Sequence, residues 1–252
     1  MKNMYMIILM LPLLGCSSHL DKQESAMKIQ SSGEIQGNLS AGKETAGQPE
    51  NAGGREKVIL DVPLIKQNPE LKYGCEVTSL AMMLQYAGVQ ADKMDLYHQI
   101  KKDPDPIIKS NRDIVQWGNP AHGFVGDMTG KQAGYAAFDK PIFELALQYL
   151  PGRAVNLTGK SFEDILSHVS RGYPAVVWTT GDYRLPDRWE SWTHEGELIK
   201  TPLDLHAVTL VGYDARFVYI NDPLSGKKKV RIEKEKFKSS WLALKSRAIS
   251  YK

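Results

Sequence analysis

Four strand-like runs crowd the last third of the chain: PAVVWTT from Pro174, LHAVTLVGY from Leu205, FVYIND from Phe217 and KKVRI from Lys228. The turns YDAR and DPLSG join the last three, and connections that short permit only antiparallel neighbours. Ahead of them the pattern is helical. Val77, Leu80, Ala81, Leu84 and Ala87 recur at helical spacing and end at Gly88. Further helices are expected at 92–101, 140–150 and 161–172, the last with Ser161 as N-cap. VILDVPLI, from Val58, reads as a first strand, and WGNPAHGFVGDMTGKQAGY, from Trp117, as a loop. A helix over EKEKFKSSWLALK and a short strand complete the chain. Helices first and an antiparallel sheet after define an α+β arrangement, with the N-terminal helical part packed on the C-terminal sheet.

The first fifteen residues, MKNMYMIILMLPLLG, place Lys2 before an apolar run too short to span a bilayer as a helix. This is a signal-peptide pattern. LLGC follows and resembles the bacterial lipobox, at which processing leaves Cys16 as a lipid-modified N-terminus. The alternative is a plain secretory signal with an incidental cysteine. Residues 16–57 contain no aromatic side chain and are rich in Gly, Ser, Gln and Glu. They cannot bury enough apolar surface to offset their ordering entropy and read as a tether. The domain is then 58–252, on the extracytoplasmic side of the cell membrane, with the bilayer as a partner through the acyl anchor.

The formal net charge of +3 falls only to +2 when Lys2 is removed, and the lysines are interleaved with acids. The densest basic run, GKKKVRIEKEKFK from Gly226, is broken by glutamates and reads as a solvated face. No nucleic-acid partner is expected, and a monomer is.

If Cys16 carries lipid, Cys75 is the only other cysteine, which excludes an intrachain disulfide and a cysteine-based metal cluster. Cys75 sits at the start of the first helix, where the dipole favours a thiolate. Taken alone it reads first as a small buried hydrophobe, and the nucleophile reading needs partners. His206 lies inside LHAVTLVGY, where a ring must find partners. It is either a satisfied core histidine or a base. Asp222 closes the next strand, close enough across one hairpin to touch His206, and is otherwise a turn residue. A thiol, an imidazole and a carboxylate are what nucleophilic acyl chemistry requires. Gln67, eight residues before Cys75, can donate to an oxyanion together with the Cys75 N–H. Glu76 places a carboxylate beside the thiol, which would raise its pKa. Trp189–Asp204 either walls a cleft before His206 or packs as an ordinary loop. No motif calls for a cofactor or a metal.

The segments VPLIKQNPELKYGCEVTSLAMMLQYAG, WGNPAHGFVGDM, PAVVWTT, LHAVTLVGYD and VYINDPLSG together resemble the stand-alone peptidase C39-like domains of bacteria, within the papain-like cysteine peptidase group. The resemblance covers 58–252. It implies a papain-like fold, nucleophile Cys75, base His206, orienter Asp222, oxyanion donor Gln67, and a peptide or protein substrate. Bacteriocin-processing relatives are fused to a transporter and cut double-glycine leaders in the cytoplasm. This chain reads as exported, so that substrate does not transfer. The expected activity is a cysteine peptidase-type hydrolysis of peptide or amide bonds. The alternatives are a peptidoglycan amidase or transpeptidase, and a catalytically inactive C39-like module that binds peptide or cell wall.

Overall fold

The computed structural model describes residues 57–252. The elements in chain order are β1 (Val58–Ile59), α1 (Cys75–Tyr86), α2 (Lys93–Gln99), β2 (Lys102–Asp103), β3 (Ile108–Ser110), β4 (Asp113–Gln116) and β5 (Phe124–Val125). After these come α3 (Asp139–Tyr149), β6 (Ala154–Asn156), α4 (Phe162–Ser170) and β7 (Ala175–Thr180). The chain ends with β8 (Trp189–His194), β9 (Glu197–Pro202), β10 (Leu205–Tyr213), β11 (Phe217–Asp222), β12 (Lys227–Glu233), α5 (Lys234–Ala243) and β13 (Ala248–Tyr251).

The main sheet runs β12-β11-β10-β7-β13-β6, with β1 also paired to the far end of β10, and every pairing is antiparallel. Its middle strands are buried on both faces. Along β7, Val176 and Trp178 face a core shared with Leu80 and Leu84 of α1 and Leu145 of α3. Ala175 and Val177 face the opposite core, with Phe162 and Ile165 of α4 and Phe237 and Trp241 of α5. That two-residue alternation is the pleat, and it explains why the run is apolar throughout. The expected N-terminal helical layer is therefore present as α1–α3 on one face, while α4 and α5 cover the other. The result is an α+β papain-like fold.

Helix α1 is buried from Cys75 to Leu84, a core helix with little polar face. Gly74 provides no side-chain cap, and the first amides of α1 precede any intrahelical partner. Gly88 takes φ +82 just beyond the C-terminus, the left-handed conformation its lack of a Cβ allows. In α4, Ser161 and Asp164 form a reciprocal capping box.

Three segments depart from the sequence expectation, the smallest being β5, which pairs with β2 inside the stretch from Trp117 that reads as a loop. VILDVPLI is a strand only at Val58–Ile59. Pro63 has no N–H to give a ladder, and the carbonyls of Val62 and Pro63 are taken by the Asn221 side-chain amide at 3.0 and 3.2 Å. Trp189–Asp204 is mostly the β8–β9 hairpin of a second sheet, ordered β3-β4-β8-β9. Trp192 packs there in a small core with Trp117, Tyr135 and Ile199.

Candidate active site

Cys75 opens α1, and α1 is latched onto β10 at the same end. Ser79 Oγ donates to the Ala207 carbonyl and Thr209 Oγ1 to the Ser79 carbonyl, both at 3.1 Å. The Ala207 N–H points at Cys75 Sγ from 3.4 Å. The residue next to the thiol in space is thus the immediate neighbour of His206 in sequence.

His206 Nε2 contacts Asp222 Oδ1 at 2.8 Å. The ring's other nitrogen, Nδ1, has no hydrogen-bond partner among the described residues. Asp222 also accepts from the Leu224 and Ser225 amides of the following turn, at 2.9 and 3.3 Å. Burial works to raise its pKa, yet the hydrogen bond and charge of His206 and the turn donors outweigh it and hold this carboxylate well below the usual range. Tyr183 donates its hydroxyl to Asp222 Oδ2 at 3.0 Å. It does so from a left-handed backbone, φ +62, that a bulky residue adopts at a cost. Burial, and then the Asp222 charge, push the Tyr183 phenol well upward.

Gln67 is buried and donates Nε2 to the Lys72 carbonyl at 2.8 Å, while its Oε1 is buried without a partner. An amide nitrogen carries two hydrogens, so one donor remains. Gln67, Cys75 and His206 line one cavity of about 410 Å³, walled also by Tyr73, Tyr135 and Leu205. Gly134 lines it too, and a Cβ there would lie 2.1 Å from the Asp127 carbonyl oxygen. Of Trp189–Asp204, Leu203 reaches the cavity, whereas Trp192 packs away from it.

Sequence reasoning read Glu76 only as a neighbouring charge. The structure buries it completely, with Oε2 accepting from the Cys75 thiol at 3.3 Å and Oε1 from the Ala137 amide at 2.9 Å. The Ala137 carbonyl in turn accepts from the Trp178 indole at 3.0 Å. Burial raises the Glu76 pKa to about 7. Burial, then the Glu76 charge, push the Cys75 thiol well above its ordinary range. Tyr183 was missed altogether, and nothing in TTGDYRLPD marks its phenol as a partner for Asp222.

The sequence-proposed thiol, imidazole and amide thus meet in one cavity, with the carboxylate behind the imidazole. That set can take up and return a proton beside a thiol sulfur. Cys16 lies outside the described residues.

Known proteins are similar to this chain in sequence or in fold. A model of the Peptidase_C39 like family matches residues 59–249. The uncharacterized protein YvpB of Bacillus subtilis (strain 168) is 35% identical over 192 residues, 75% of this chain and 74% of its own length. The crystal structure of a candidate C39-like peptidase from Bacillus anthracis superposes with a TM-score of 0.72 at 44% identity, covering 78% of this chain and 98% of that one. A family match over most of the described residues, together with a fold match at that identity, makes this chain a member of the Peptidase_C39-like family.

Proposed function

We propose that the protein is a cysteine peptidase-type hydrolase that cleaves peptide or amide bonds, with Cys75 as nucleophile, His206 as base, Asp222 as orienter and Gln67 as oxyanion donor. We place it at the extracytoplasmic membrane surface, held by lipid on Cys16, on the strength of the N-terminal signal and LLGC sequence. The observation that carries the catalytic reading is the cavity shared by Cys75 and His206, with the His206–Asp222 contact of 2.8 Å behind it.

Nε2 is committed to Asp222, which leaves Nδ1 to receive the thiol proton as sulfur attacks the acyl carbon. The Cys75 N–H and the second Gln67 Nε2 hydrogen supply donors for the developing oxyanion. The C–N bond then breaks, His206 returns the proton to the leaving amine, and a thioester remains on Cys75. Water, deprotonated by His206, attacks that thioester. The acid leaves and the thiol is restored.

Incubation with a mixed-sequence peptide library, read by mass spectrometry, tests this. Cys75→Ala and His206→Ala are each expected to abolish product formation, and Asp222→Asn to retain a residual rate. Full activity in His206→Ala overturns the assignment of the base.

The raised Cys75 thiol favours a second reading, a module that binds peptide without turning it over. Equal peptide capture by wild type and Cys75→Ala, with product from neither, would select it.

A further inference from the structure

A second cluster of chemically capable side chains lies at the β2, β5 and β8 end of the domain. Asp103 ends β2, His122 sits in the loop before β5, and His194 ends β8. One ligand atom from each lies within 4.8 Å of the others. His194 Nε2 is 3.3 Å from His122 Nδ1 and 3.7 Å from Asp103 Oδ2. Donor atoms at Zn–N and Zn–O bond lengths around a tetrahedral ion stand about 3.4 Å apart. The two distances from His194 are close to that value, the third pair lies within 4.8 Å, and two imidazoles with one carboxylate leave the fourth position of such an ion for water.

We propose that Asp103, His122 and His194 bind one divalent transition cation, zinc foremost. Imidazole nitrogen and carboxylate oxygen are the donors that zinc accepts, and magnesium or calcium would require a shell of oxygens.

The surroundings resemble the outer shell of a metal centre. Metal-bound histidines usually present their other ring nitrogen to a carboxylate. His194 is 3% exposed and its Nδ1 is buried without a formed hydrogen bond, yet Asp105 Oδ2 stands 3.2 Å away. Asp103 is held in place by the Asn119 amide on Oδ2 at 3.0 Å and the Asp105 amide on Oδ1 at 3.1 Å. His122 is exposed and gives an ion its way in.

The three ligands come from separated stretches of chain, so an ion would tie β2 and the loop before β5 to the β8–β9 hairpin. That hairpin leads directly into Leu205 and His206, which line the cavity. The inference does not depend on the peptidase reading.

The test uses the untagged full chain with Cys16 and Cys75 replaced by Ser, so that no thiolate competes, stripped with chelator and titrated with Zn²⁺ and Co²⁺. One equivalent is expected to bind, Co²⁺ with the visible absorption of a four-coordinate site. His122→Ala, a change at an exposed residue, is expected to weaken Zn²⁺ binding by about 100-fold, and Asp105→Asn by about 10-fold. No saturable binding, or Zn²⁺ affinity unchanged in both His122→Ala and His194→Ala, overturns the proposal. The 3.3 Å contact would then be a plain imidazole–imidazole hydrogen bond.

Discussion

Glu76 is the residue whose environment has the largest consequence for reactivity. Buried on every side, its carboxyl titrates at about 7 against an ordinary 4.5. The folded protein therefore binds its proton more tightly than the unfolded chain. This contribution to stability is fully present below pH 4.5 and is lost as pH rises to about 7. The shift corresponds to about 3 kcal/mol. Glu76→Gln keeps an acceptor for the Ala137 amide but cannot ionise. Unfolding free energies from denaturant titrations between pH 4.5 and 8 should fall for wild type by that order relative to Glu76→Gln. A slope unchanged by the substitution would show that Glu76 does not titrate in the window. The same variant removes the negative charge that helps raise the Cys75 thiol. Iodoacetamide should then label Cys75 faster than in wild type at pH 8. The cysteine was visible in the sequence by its position before an apolar helix, and so was the acid beside it. Their burial together was not, because Ala137 and Trp178, which complete the hydrogen-bond chain, lie far along the sequence.

At the scale of elements, regular segments were legible where local chemistry set their ends. The capping box of α4 is the clearest case, with Ser161 Oγ accepting from the Asp164 amide at 3.0 Å and Asp164 Oδ2 accepting from the Ser161 amide at 3.2 Å. Ser161→Ala is expected to cost about 1 kcal/mol in chemical denaturation and to leave peptide cleavage intact, since α4 packs on the sheet face away from the cavity. A loss of cleavage without a loss of stability would contradict that placement. Elements were misread where a distant partner ends a strand, and where a local hairpin lacks an apolar alternation. VILDVPLI has strand composition, but Pro63 and the Asn221 amide divert it after two residues. The β8–β9 hairpin turns at Glu195 and Gly196, both in left-handed conformations, and its exposed Trp189 and Leu198 blur the alternation that would mark two strands.

For the whole molecule, the decisive contact is between layers, where α1 meets β10. Cys75 belongs to the helix and His206 to the strand, so their relative position rests on the Ser79 and Thr209 hydrogen bonds that join the two. Ser79→Ala and Thr209→Val should each cost about 1 kcal/mol of stability. Because the two share Ser79, the double variant should depart from additivity by at least about 0.5 kcal/mol in a denaturant cycle. Strict additivity would mean that the two bonds do not act as one latch. The sequence by itself determined the α+β order, the helix that begins at Cys75, and the reach of Asp222 to His206 across one hairpin, because periodicity, caps and short turns are local. Only the tertiary structure decided that Glu76 is buried against the thiol, that Tyr183 holds Asp222, and that Asp103, His122 and His194 converge. Each of those contacts closes a long loop or depends on which face of the sheet a side chain shares, and no short window of sequence encodes either.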